Sequence, residues 1–110
     1  MIPIDLSSKT ALITGATGQL GRVMAKTLAA AGADIILHYH KNGEKAEALA
    51  EEIRGLGVRC FMDTCDVGEP DSVSAMGSRI ARHFSMPDII VNNAVVQYRP
   101  WAGVLEQPPA

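Results

Sequence analysis

The sequence carries no excess of positive charge: ten Lys and Arg stand against twelve Asp and Glu, for a formal net charge of −2. Without a basic stripe, contact with a phosphate backbone has no electrostatic source, so no nucleic-acid partner is expected. Long apolar runs are missing too. Asp34 and His38 bracket the longest one, well short of the roughly 18 residues that a membrane span needs, so no membrane partner is expected either. The opening Met1-Ile2-Pro3-Ile4-Asp5 lacks both the basic and the apolar region of a secretory signal. Cysteine is scarce. Cys60 and Cys65 fit neither a CxxC redox pair nor a zinc knuckle and read as two buried, reduced thiols. These absences predict a cytoplasmic protein. What is present is an ordinary globular composition, 47% hydrophobic and 20% charged, in a chain of 110 residues that holds at most one domain.

The apolar pattern alternates between two periods. Residues 9–14 read as a short strand that is apolar on both faces. From Gln19 to Ala31 the spacing turns helical, with Leu20, Met24, Thr27, Leu28 and Ala31 on the expected buried side and Gly32 as the stop. Residues 34–39 form a second strand. A second helix follows, with Asn42 as N-cap, Glu44 in its first turn, and Ala46, Leu49, Ala50, Ile53 and Leu56 facing the core. Residues 58–62 make a third strand. Pro70 starts a third helix that buries Val73, Met76, Gly77, Ile80 and Phe84, with His83 complementing the dipole at its end. Residues 88–92 are the fourth strand. The order βαβαβαβ with short connections predicts an α/β fold, a Rossmann-type doubly wound parallel sheet with strand order 3-2-1-4. The fourth strand is apolar on both faces, as a strand inside a parallel sheet is, so the sheet is expected to be incomplete within this chain.

Between the first strand and the first helix lies Thr14-Gly15-Ala16-Thr17-Gly18-Gln19-Leu20-Gly21. Glycine in such a turn bends the chain sharply, admits a diphosphate to the backbone and lets helix approach strand. Gly15 suits the first use and Gly18 the second, with Gly21 nearest the sheet. The helix opening at Gln19 and Leu20 presents free N–H groups and a partial positive charge to the diphosphate. The spacing is GxxGxxG, and no Lys-Ser/Thr follows, so the turn is not a Walker A loop.

With residues 9–15, this turn, Cys65-Asp66-Val67 and Val91-Asn92-Asn93-Ala94 taken together, the sequence resembles the short-chain dehydrogenase/reductase family over essentially its whole length. The resemblance implies that Gly15, Thr17 and Gly18 line the diphosphate of a nicotinamide dinucleotide. It further implies that Asp66 and Val67 hold the adenine, and that Asn93 and Ala94 pack against the adenosine ribose. Two departures stand out. The turn has the glycine spacing of the family's extended branch of sugar-nucleotide epimerases, whereas Asn92-Asn93-Ala94 is the signature of the shorter reductases. Val95 replaces the usual glycine after that alanine.

Cofactor choice is read at the tip of the second strand, beside the ribose. An acid there would bind both ribose hydroxyls and repel a 2′-phosphate. Tyr39 stands in its place, followed by His40 and Lys41, which suit a 2′-phosphate, so NADP(H) is expected over NAD(H). His38 and His40 form an i, i+2 pair, but no third ligand has a fitting spacing, and no metal is expected.

Carbonyl reduction needs a hydride donor and an acid for the nascent alkoxide. The resemblance implies a Tyr and a Lys four residues on, with a Ser and an Asn. Tyr39 and Tyr98 have Gly43 and Ala102 at that spacing, so no catalytic residue is expected among these 110 residues. Residues 1–110 therefore read as the N-terminal NAD(P)-binding portion of a Rossmann domain, with the catalytic portion absent and no activity alone. The intact protein, a homo-oligomer by resemblance, is expected to transfer hydride between NADP(H) and a small carbonyl/alcohol substrate, as a 3-oxoacyl-thioester reductase does. An extended-branch epimerase or dehydratase, and a non-catalytic NADP(H)-binding regulator, are the alternatives. Trp101 and Tyr98 are expected to pack against the continuing sheet.

Overall fold

Parallel strands joined by helical crossovers arrange themselves as the pattern requires. The computed structural model describes residues 4–93. Its elements run β1 (Thr10–Ile13), α1 (Gln19–Ala30), β2 (Asp34–Tyr39), α2 (Gly43–Arg54), β3 (Cys60–Thr64), α3 (Pro70–His83) and β4 (Ile89–Val91). The sheet order is β3-β2-β1-β4, every pairing parallel. This is the expected 3-2-1-4 arrangement.

Alternation along the strands divides the core in two. Ile13, Ile35 and Leu37 face α1 and α2, where Ala25, Ala29, Leu49, Ala50 and Ile53 meet them. Leu12 and Ile36 face α3 through Cys65, Met76 and Ile80. The carboxyl ends of all four strands gather at one rim of the sheet, where the loops after β1 and β3 flank the end of β2.

α1 buries a different face from the expected one. Gly21, Ala25 and Ala29 lie against the sheet, Met24 and Leu28 are half-buried at the flanks, Thr27 is exposed and Leu20 is 57% exposed. Small residues at i, i+4 spacing let the helix axis come close, and that approach swings the larger side chains outward. The helix ends in a Schellman motif: the Gly32 N–H donates to Ala29 O at 2.9 Å and the Ala33 N–H to Leu28 O at 3.1 Å, with Gly32 at φ +106°.

Further expectations are corrected. Asn42 holds the N-cap position of α2 as expected, at φ 71°, ψ 55°, but makes no side-chain cap bond. Leu56 lies beyond the helix end and is exposed. β3 starts at Cys60 rather than Val58, because the Arg59 N–H and Nε are bound to Asp34 at the strand's foot. The strand runs on through polar Asp63 and Thr64 because they have register partners in His38 and Tyr39, and Arg79 of α3 neutralises Asp63 at 2.6 Å. On α3, Val73 is exposed, as is Gly77, and Phe84 is half-buried, stacked on Phe61 at a centroid distance of 5.7 Å.

Among the described residues β4 pairs with β1 alone, and Ile90 is 57% exposed. Its start is pinned, since the Asp88 N–H donates to Thr10 O and the Thr10 N–H to Asp88 Oδ2.

Both cysteines are buried thiols. Burial pushes Cys60 up to about 11 against the opposing charge of Arg54, and burial pushes Cys65 up as well. The thiolate is the nucleophile, so native Cys60 is expected to alkylate at least about tenfold more slowly than an ordinary thiol. Iodoacetamide labelling followed by mass spectrometry, with and without denaturant, measures this; equal rates in both states would contradict the burial.

Candidate functional site

The rim site is built around one peptide. At Gly15, φ is +64°, a value that suits glycine, and both its polar groups are held. Its N–H donates to His38 Nδ1 at 3.0 Å, and its carbonyl accepts from Asn93 Nδ2 at 3.1 Å and from the Gly18 N–H at 3.3 Å. The next amide, of Ala16, donates to His38 O at 2.9 Å. From the β4 side, the Asn93 N–H donates to Thr14 Oγ1 at 2.8 Å. The turn is thus fixed by β2 on one side and by the end of β4 on the other.

Gly21 makes the close approach the sequence suggested. A Cβ there would lie 2.5 Å from Gly15 O, 2.8 Å from Ala16 Cα and 2.9 Å from Asn93 Nδ2. Gly18, by contrast, is exposed, and a Cβ on it would meet only Gly15 O at 3.6 Å.

Gly18 is the N-cap of α1 and supplies no side-chain cap; its carbonyl takes the first helical bond, from the Arg22 N–H at 3.0 Å. The amides of Gln19, Leu20 and Gly21 therefore have no acceptor among the described residues, and no acidic side chain stands in the first turn. Three unmatched N–H groups at the positive end of a helix fit an anionic oxygen. The residues present suit the diphosphate that the sequence pattern implied.

Next to the turn, the β3–α3 loop forms the other wall. The Asp66 N–H donates to Ser72 Oγ, and the Gly68 N–H donates to Asp66 Oδ1 at 2.9 Å, so one carboxylate oxygen organises the loop. The other, Oδ2, faces His40 Nε2 at 3.9 Å, with both side chains about half exposed. Val67 is half-buried against the α3-side core. At the tip of β2, Tyr39 is half-buried, and His40 and Lys41 are exposed. Asp34 lies at the strand's other end, engaged with Arg59, so β2 itself carries no acid at this tip.

A cleft of about 350 Å³ opens between α1 and α2 beside the turn, lined by Thr17, Gly18, Gln19, Arg22, Lys45, Ala48, Leu49 and Glu52. Glu52 is engaged by Lys26 at 2.9 Å, which holds its carboxyl below the usual range, and lies 3.9 Å from Arg22. Lys41 and Lys45 make no ion pair among the described residues.

The structure thus brings Gly15, Thr17, Gly18, Gln19 and Leu20 together with Asn93, and sets Asp66 and Val67 across from Tyr39, His40 and Lys41. Ala94, Tyr98 and Trp101 lie outside the described residues. Sequence reading missed Arg22 and Lys45 in the cleft and the part played by His38. The last had a visible signal: a histidine directly after the apolar run Ile35-Ile36-Leu37 of β2. No cluster of three metal-binding side chains occurs among the described residues, and no helix there is long and apolar enough to cross a membrane.

The sequence profile of the short chain dehydrogenases matches residues 9–107. The chain belongs to this family. Its curated relatives include the 3-oxoacyl-[acyl-carrier-protein] reductase FabG of Staphylococcus aureus, 40% identical over 87 residues, covering 79% of this chain and 35% of the relative. Versicolorin reductase stcU of Emericella nidulans is 35% identical over 89 residues, covering 81% and 34% respectively. Among solved structures, a short-chain type dehydrogenase/reductase from Mycobacterium marinum superposes with a TM-score of 0.76 at 33% identity, over 94% of this chain and 41% of that one. A dehydrogenase from Burkholderia cenocepacia with bound NADP gives 0.74 at 26% identity, over 84% and 36%. The chain spans about a third of the length of the curated family members it matches.

Proposed function

We propose that residues 1–110 form the N-terminal dinucleotide-binding portion of an NADP(H)-dependent oxidoreductase. In this reading the intact protein moves hydride between the cofactor and a carbonyl/alcohol pair of the 3-oxoacyl-thioester kind. The observation that carries it is the trio of unmatched amides at Gln19, Leu20 and Gly21, set beside a turn whose Gly15 and Ala16 amides are already occupied. Family membership supports nicotinamide dinucleotide as the anion, and the reductase names of the relatives support the carbonyl substrate.

Each residue has an assigned part. Thr17, Gly18, Gln19 and Leu20 hold the diphosphate, Asp66 and Val67 the adenine, and Asn93 and Ala94 the ribose side. Tyr39 leaves the tip of β2 without a carboxylate, and His40 and Lys41 offer donors to a 2′-phosphate. Lys45 and Arg22 add positive charge at the cleft mouth. When bound, the cofactor supplies or accepts the hydride. The acid that protonates the alkoxide belongs to a separate, catalytic portion of the intact protein, because Tyr39 has Gly43 rather than Lys at +4.

Titration of the intact protein with NADP⁺ and NAD⁺ tests the assignment. Lys41→Ala is expected to weaken NADP⁺ about fivefold, in keeping with one exposed charge–phosphate contact, and to leave NAD⁺ nearly unchanged. Unchanged affinity for both would remove the 2′-phosphate from this loop. An intact protein that binds NADP⁺ yet turns over no ketone would be the regulator instead.

A further inference from the structure

We propose that His38 is a positioning residue for the cofactor seat: its ring ties the glycine turn to the β3–α3 loop, and loss of that tie lowers dinucleotide affinity. The inference rests on the reading that the turn seats a dinucleotide.

His38 is 1% exposed, on a strand whose neighbouring residue on the same face, Ile36, is fully buried and apolar. Both ring nitrogens are engaged. Nε2 lies 2.8 Å from Cys65 O, and a carbonyl can only accept, so the proton resides on Nε2. Nδ1 is then the bare acceptor that takes the Gly15 N–H at 3.0 Å. One side chain thus joins two loops separated by 23 and 27 positions from it: the turn that opens α1 and the segment leading into Asp66. The same residue's backbone carbonyl takes the Ala16 amide.

An apolar residue here would strand a buried amide and a buried carbonyl, each costly to leave unmatched.

Two substitutions separate positioning from simple packing. Asn carries Oδ1 at the same distance along the side chain as Nδ1, so His38→Asn keeps an acceptor for Gly15. His38→Leu keeps bulk and loses both bonds. Affinity of the intact protein for NADP⁺ is measured by calorimetry, alongside ¹⁵N NMR of the ring in the free protein. The expected results are a ring protonated on Nε2 and His38→Leu binding about tenfold more weakly than wild type. His38→Asn is expected within about threefold of wild type. The proposal is overturned by a proton on Nδ1, by His38→Leu binding as tightly as wild type, or by His38→Asn binding about tenfold or more weakly than wild type. Should His38→Leu fail to fold, His38→Asn and the ring spectrum decide. Wild-type protein that binds neither NADP⁺ nor NAD⁺ overturns the site reading itself, a result visible before any variant is made.

Discussion

Gly21→Val is expected to cost about 3 kcal/mol of stability or more and to lower the melting temperature by about 10 °C or more. The reason is where the new atoms go. A Cβ at position 21 meets Gly15 O at 2.5 Å and Ala16 Cα at 2.8 Å, both backbone atoms of the turn, and Asn93 Nδ2 at 2.9 Å. A flexible side chain could yield, but the main chain of the turn is held by His38 and Asn93 and has nowhere to retreat. α1 must instead lift off the sheet, which opens the contact of Ala25 and Ala29 with β1 and β2. Valine's two methyl groups beyond that Cβ deepen the conflict. Thermal melting followed by circular dichroism checks this. A melting temperature within about 2 °C of wild type would mean that helix and turn do not approach as described.

Gly18→Asp should do the reverse: leave the fold intact and remove the ligand. At φ −73° and ψ 167° the position is open to any residue, and a Cβ makes only an ordinary contact with Gly15 O. The residue is an N-cap without a side-chain cap, so an aspartate can accept from the Leu20 or Gly21 N–H and add about a few tenths of a kcal/mol of stability. That same carboxylate occupies the amides proposed for the diphosphate and repels its charge. Loss of the charge-assisted bonds together with like-charge repulsion is expected to weaken NADP⁺ about a hundredfold, while the melting temperature holds or rises slightly. Calorimetric titration beside a thermal melt reads both quantities from one preparation. Retained binding would place the diphosphate away from the start of α1.

Much of this was legible without coordinates. Residue types alone announce the strand order, because alternating periods and short connections leave few other ways to bury both faces of β1 and β2. The turn was legible because its glycines sit where a strand gives way to a helix. The face of α1 was not. Hydrophobic periodicity gives weight to Leu20, Met24 and Leu28, whereas the surface that meets the sheet consists of Gly21, Ala25 and Ala29, which carry almost no signal on such a scale. Close approach is a property of small size, and the pattern reads greasiness. β3 was misplaced for a related reason: Asp63 and Thr64 look like loop residues until Arg79, sixteen positions on, neutralises one of them. The ties from His38 to Gly15 and Cys65 were invisible because they join residues that only the finished sheet brings together.

The clamp on Gly15 has a practical consequence for anyone wishing to move this phosphate-binding loop into another scaffold. A transplanted strand–turn–helix hairpin covering residues 10–30 would leave behind His38, which takes the amide, and Asn93, whose bond to the carbonyl spans 78 positions of chain. The excised loop would have the right glycines and no reason to hold their shape. A successful graft must import three strand ends at once, so the portable unit is the rim of the sheet rather than the signature printed in the sequence.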